Sequence, residues 1–194
     1  MNKLTAKDMI TVGTFTTLLF VVKFVIGFIG MIPIFNVFLP PITAVAVAPI
    51  YLLFVKKVEK FGMITMMNVV LGVLCFLSGY GIYALVGSII FGVIADVITK
   101  KGDYKDMKAI KLGYAFQAQW GVTMFVNMVL LGQAYYDELA LSMGEEFAYE
   151  LQKYLPWHCL LWIPILTFVA AYLGTFLCRN MMKRHFSGEV DNEL

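Results

Sequence analysis

FGMITMMNVVLGVLCFL, residues 61–77, carries no charged side chain. A helix rises 1.5 Å per residue, so about 17 residues cross a ~30 Å hydrocarbon layer when the flanks reach outward. The run does not alternate apolar with polar positions, which excludes a strand of an outer-membrane barrel. A helix also satisfies its own backbone groups, as lipid demands. The same pattern recurs on either side. It fills 9–29, broken only by Lys23, then 39–55, then 81–98, charged only at Asp96, then 112–131 and 157–178.

The composition agrees with these runs. Of 194 residues, 60% are hydrophobic and 14% charged. Soluble domains usually carry about 25% charge. Mean hydropathy is +0.80. A water-soluble chain this apolar could not cover its own core, so a soluble enzyme or nucleic-acid binder is excluded. A net charge of +2 also argues against a nucleic-acid partner. Cys75, Cys159 and Cys178 lie in apolar stretches without CxxC spacing and read as small core residues. The expected fold is an all-α integral membrane protein. It forms one domain, 1–194, of six continuous transmembrane helices.

Basic residues orient the bundle. Lys3 and Lys7 precede the first span, and Lys56, Lys57 and Lys60 follow the second. Lys100, Lys101, Lys105, Lys108 and Lys111 lie between the fourth and fifth, and Arg179, Lys183 and Arg184 follow the sixth. Thirteen of the 15 lysines and arginines thus fall on one side, which the positive-inside rule makes cytoplasmic, with both termini. The expected location is the bacterial cytoplasmic membrane, with lipid as surroundings. A signal peptide fits the N-terminus less well, because the first apolar run is too long.

The connection 132–156 faces outward and carries Asp137, Glu138, Glu145, Glu146 and Glu150. Leu139, Met143, Phe147, Leu151 and Leu155 recur every four residues, and Ser142 with Glu145 has capping-box spacing. A short amphipathic helix starting near Ser142 is expected, either a solvated cover or a gate over a ligand cavity. Neither a P-loop nor a metalloprotease or G-x-S-x-G motif occurs. His158 and His185 stand near opposite membrane faces. No catalytic residue, cofactor or metal is expected, and the chain reads as a non-enzyme. Asp96 reads as an interfacial carboxylate paired with Lys100, the alternative being a role in proton or ion coupling.

Polar and aromatic residues gather in the outer half. Lys23 either snorkels outward or faces a pocket to meet an anionic group. Trp120, Thr123 and Asn127 share a face of the fifth span, whereas Gln117 and Gln119 read as contacts to neighbouring helices. Trp157, His158 and Trp162 open the sixth span. Tyr80 stands between Gly79 and Gly81 in a tight turn, with Tyr83 one turn on and Asn36 in the first outer link. Lys23, Asn36, Tyr80, Tyr83, Trp120, Thr123, Asn127, Trp157, His158 and Trp162 are therefore the expected substrate-binding residues. Aromatic faces, amides and one cation suit a small planar ligand. The sharpest expectation places Asn127, His158 and Trp162 around one cavity, with Tyr80 and Lys23 at its edge. Gly13 with Thr17, and Ala44 with Ala48, form small-x-x-x-small pairs suited to close helix contact.

Four stretches carry a family resemblance: Lys3-Leu4-Thr5-Ala6-Lys7-Asp8, Ala95-Asp96-Val97-Ile98 with Gly102-Asp103-Tyr104, Met143-Gly144-Glu145-Glu146-Phe147, and Lys183-Arg184-His185-Phe186. In their order and in its six spans, the chain resembles the substrate-binding S component of an energy-coupling factor (ECF) transporter. More narrowly it resembles the Trep_Strep group. That resemblance implies capture of a vitamin or related micronutrient outside, with delivery through a T subunit and two cytoplasmic ATPases. Many S components dock on the T subunit through an alanine-x-x-x-alanine patch on the first helix. Gly13 and Thr17 occupy the matching place here and are the expected partner-binding pair. The alternatives are a membrane enzyme and an accessory or sensory membrane protein.

Overall fold

A computed structural model describes residues 5–185, and the side chains of 179–185 lie outside that description. Lys3, Phe186 and the termini, and the side chains of Arg179, Lys183, Arg184 and His185, thus fall outside the described residues. Everything described is helix or connection. Thr5 and Asp8 form a capping box, Asp8 Oδ2 accepting from Thr5 N at 2.8 Å, and start α1, Ala6–Gly27. A 3₁₀ turn, Phe28–Met31, leads to α2, Pro33–Lys57, which opens with proline at its first position. α3 runs Met63–Cys75 and widens into a π turn, Phe76–Tyr80. α4 follows at Ile82–Lys101.

Five segments are long and apolar enough to cross a membrane: Ala6–Met31, Pro33–Lys57, Met63–Tyr80, Ile82–Lys101 and Cys159–Cys178. The expected span 112–131 is not a continuous helix. It is α5 (Met107–Gln117), a 3₁₀ stretch (Ala118–Phe125) and α6 (Val126–Leu131). The tightening has a local cause. Thr123 Oγ1 donates to the Trp120 carbonyl, three residues back, at 2.6 Å, and Gly121 weakens helix propensity beside it.

The outer connection holds two helices rather than one, α7 (Gln133–Met143) and α8 (Glu145–Tyr154). Ser142 caps neither. Its hydroxyl donates to the Glu138 and Leu139 carbonyls inside α7. Gly144, at φ 96°, makes the break, a conformation L side chains rarely adopt. Leu139, Phe147, Leu151 and Leu155 pack into a core with Phe125, Tyr136 and Ile163, whereas Met143 is exposed. α9, Cys159–His185, completes the bundle and packs along α2. Ala44 and Ala48 are buried there, with Gly174 opposite: a Cβ on Gly174 would lie 3.1 Å from Val45 Cα.

The basic end, holding the 57–62 and 101–106 connections, is closely tied together. Asp96 is fully buried and does not pair with Lys100, whose Nζ instead lies 4.6 Å from the Phe61 ring. Its carboxylate accepts from Gly62 N (2.8 Å), Thr65 N (3.1 Å), Thr65 Oγ1 (2.9 Å) and Tyr104 Oη (2.9 Å). α3 leaves its first N–H groups without partners, and a carboxylate from α4 satisfies two of them. Burial and the neighbouring Asp96 charge push the Tyr104 phenol well above its ordinary range. Deeper in the bundle, Gln117 Nε2 donates to Asn68 Oδ1 at 2.8 Å, joining α5 to α3, while Gln119 donates to the Ala115 carbonyl of its own helix. Lys60 pairs with Asp8 at 2.7 Å.

Candidate functional site

A cavity lies in the half of the bundle nearer the acidic connection, and its position follows from where the helices lose regularity. Pro40 and Pro41 interrupt α2, so the Asn36 and Val37 carbonyls lose their usual helical donors. Thr43 Oγ1 donates to the neighbouring Leu39 and Pro40 carbonyls at 2.9 and 3.0 Å. The π turn of α3 breaks at Gly79, φ 91°, and leaves Tyr80 before Gly81. The 3₁₀ stretch brings Gly121 beside Pro40, where a Cβ on Gly121 would lie 3.8 Å from the Pro40 side chain. These three irregular segments and α1 meet around one space. Non-helical backbone at membrane depth is tolerated where it is buried in protein or lines a cavity. Long 3₁₀ runs and π turns inside helices often mark functional sites.

Phe20, Lys23, Phe24 and Gly27 of α1 form one wall. Leu39, Pro40 and Thr43 form a second, Cys75 and Tyr80 a third, and Trp120, Gly121 and Met124 a fourth. The cavity volume is about 50 Å³. The lining is apolar apart from a few groups. Lys23 Nζ lies 4.6 Å from the centre of the Trp120 ring. It makes no hydrogen bond or ion pair among the described residues. Trp120 is 3% exposed, and its buried Nε1 donates to nothing among them.

The energetics of that pair are unfavourable as it stands. Withdrawing an ammonium from water costs several kcal/mol even after relaxation. A desolvated cation–π contact returns about 2 kcal/mol. Asp8, the one acidic residue on α1, is 15 residues away, about 22 Å at 1.5 Å rise, and is held by Lys60. Lys23 is therefore a half-buried cation whose charge nothing in its cavity balances.

The structure brings Lys23, Tyr80 and Trp120 together. It does not bring Asn127, His158 and Trp162 to this cavity. Asn127 packs against Gly81, where a Cβ would lie 2.6 Å from its Nδ2. Thr123 faces Gly87 on α4. Trp162 stacks at a tilt on Phe38, 5.8 Å between ring centres, inside the core under α7 and α8. His158 is exposed beside Trp157, which is 71% exposed. Asn36 donates to the Gly30 carbonyl at 3.1 Å and closes the turn after α1. Tyr83 is exposed at the start of α4. Gly13 and Thr17 lie on an open face of α1, with nothing within 4 Å of a Cβ on Gly13. Sequence reasoning missed Phe20, Phe24, Pro40, Thr43, Cys75 and Met124. The signal for α1 was present: Phe20, Lys23, Phe24 and Gly27 are spaced i, i+3, i+4, i+7, one helical face.

No curated protein and no solved structure matches the chain. A family model does, over residues 6–187, nearly the whole length. The chain belongs to the Trep_Strep family, described as hypothetical bacterial integral membrane proteins.

Proposed function

We propose that this protein is the substrate-binding S component of an ECF-type importer in the bacterial cytoplasmic membrane. The basic end and both termini face the cytoplasm, and 107–131 crosses the membrane as a broken fifth span. The cavity then opens outward and captures a vitamin or related small micronutrient. A T subunit and two cytoplasmic ATPases complete the importer. The observation that carries this reading is Lys23 over Trp120, at a cavity walled by irregular helix segments. An open small-residue face on α1, at Gly13 and Thr17, supports it by leaving room for a partner helix.

The test is gentle purification from the native membrane followed by native mass spectrometry. The expected result is a retained small molecule, with a T subunit and two P-loop ATPases in the same complex. A protein that purifies without ATPases and turns over lipid would instead be a membrane enzyme. Orientation has its own check. A cysteine at Lys105 should be shielded from an impermeant thiol reagent in intact cells, and one at Glu146 should react. The reverse pattern overturns the outward-facing cavity.

A further inference from the structure

We infer that the cavity takes a small aromatic carboxylate, its carboxylate against Lys23 and its ring between Trp120, Tyr80 and the α1 phenylalanines. This rests on the reading of the cavity as a substrate site and adds the chemical class.

Three observations point to an anion. Lys23 is the one charged side chain in the lining. It has no ionic or hydrogen-bonding partner among the described residues, although the other half-buried ammonium in a described ion pair, Lys60, sits 2.7 Å from a carboxylate. It also points into the bundle. Its Nζ rests over Trp120, a residue of the broken span, so snorkelling to the surface does not describe it. A phospholipid headgroup carries the same charge. However, the walls around Lys23 come from four segments of the chain, which places the ammonium among helices rather than on a lipid-facing surface.

Two further observations point to an aromatic ring of modest size. Phe20, Phe24 and Tyr80 line the cavity beside the Lys23–Trp120 pair, and aromatic faces favour offset or edge contacts with a ring. Tyr80 Oη makes no hydrogen bond among the described residues and offers one donor near the carboxylate. The cavity volume of about 50 Å³ is smaller than the ~150 Å³ that holds a benzene ring, so the exposed Phe24 side chain turns aside as the ring enters.

The experiment is calorimetric titration of the detergent-purified full chain with matched probes. Benzoate and indole-3-acetate are each compared with their own carboxamides, and benzoate with cyclohexanecarboxylate. At least one aromatic carboxylate should bind ten-fold or more tightly than its carboxamide, and benzoate more tightly than its saturated analogue. Lys23→Met should bring carboxylate and carboxamide to parity, and Lys23→Arg should keep a preference for the anion. Parity in the parent protein overturns the anionic class but leaves the substrate-site reading intact, and needs no variant to observe. A preference that survives Lys23→Met also overturns it. Equal binding of cyclohexanecarboxylate removes the aromatic part, and no binding by any probe removes the whole class. Phosphatidylglycerol added to the micelles should change the affinity less than two-fold. Abolition of binding by that lipid would reassign Lys23 to headgroups. Failure of the importer reading shows separately, as purification without ATPases.

Discussion

Asp96 and Lys23 each place a formal charge on an apolar helix, and the two ends of the bundle treat them oppositely. Asp96 is enclosed by four donated hydrogen bonds from the 57–62 connection, α3 and the 101–106 connection. Lys23 has an aromatic face and a cavity. Around Asp96 the helices are regular, and Gly62, at φ 94°, turns its N–H onto the carboxylate. Around Lys23 the helices are interrupted by prolines, a π turn and a 3₁₀ stretch. A buried charge with all its bonds made is a fastening between elements. A buried charge with none is a cost that the fold carries for another purpose. The basic end is fastened into one arrangement, and the cavity end leaves a charge unpaired among the described residues, as the proposed binding site requires.

The largest effect should come from breaking the fastened end. Asp96→Ala leaves two backbone N–H groups and the Tyr104 hydroxyl without their acceptor. Removing one partner from a buried charged network typically costs about 3–5 kcal/mol. Asp96→Asn keeps an acceptor oxygen and should lose about 1–3 kcal/mol. Denaturant titration in micelles, followed by helical signal, reads both. A change under about 0.5 kcal/mol for the alanine variant would mean that Asp96 fastens nothing.

Crowding the α2–α9 seam tests packing in the middle of the bundle, between the two ends. Gly174→Leu pushes a side chain against the backbone at Val45, where even a Cβ sits at 3.1 Å. Over-packing of this kind costs about 1–3 kcal/mol. The same denaturant titration should show that loss, because the neighbour is main chain and cannot swing aside. An unchanged midpoint would show that the seam is looser than its geometry.

How much of this was readable in advance depends on what each feature needs. The spans needed only local composition, so runs such as 61–77 located them. The break in 112–131 needed more. On a regular helix Trp120, Thr123 and Asn127 share one face, and Gln117 reads as a contact to a neighbouring helix, which it makes with Asn68. The 3₁₀ stretch breaks the shared face, so Trp120 lines the cavity while Asn127 meets Gly81. The site was legible to the extent that depth decides it. Lys23, Tyr80 and Trp120 share a level, and they line one cavity. Trp162 and His158 lie toward the same end of the bundle but on other bearings around its axis, which depth alone does not specify. Asp96 was misread because proximity in sequence favoured Lys100, four residues on. Its actual donors at Gly62 and Thr65 lie more than thirty residues away in the chain.

At the cavity end the sign should reverse. Lys23→Met removes an ammonium whose desolvation nothing balances and leaves an apolar chain of similar length in an apolar wall. Replacing poorly compensated buried charge with apolar groups is often stabilising. The ligand-free protein should gain about 1–2 kcal/mol, read by thermal unfolding in detergent, while binding of an anionic ligand weakens. A gain in stability with a loss of binding is the signature of a residue retained for function. If Lys23→Met destabilises the ligand-free protein, Lys23 belongs with Asp96 as a structural fastening, and the contrast between the two ends falls.

The smallest effect on stability is expected on the open face of α1, and that smallness is what makes it informative. Ala44 and Ala48, the other small-residue pair, are buried against Gly174 and have no surface left to offer a partner. Gly13 and Thr17 are exposed, and Thr17 Oγ1 donates only to the Gly13 carbonyl of its own helix at 2.9 Å. Gly13→Leu with Thr17→Leu therefore meets no neighbour inside the protein, and leucine is the better helix former at both positions. Stability should stay within about 0.5 kcal/mol of the parent, as for exposed substitutions generally. If a T subunit docks there, the two leucines hold its helix away, and the yield of T subunit in a pull-down should fall several-fold. Binding in the Lys23 cavity should be untouched, because neither residue lines it. Loss of folding would show that this face is packed after all. A normal pull-down with normal folding would move the docking surface to another part of the bundle.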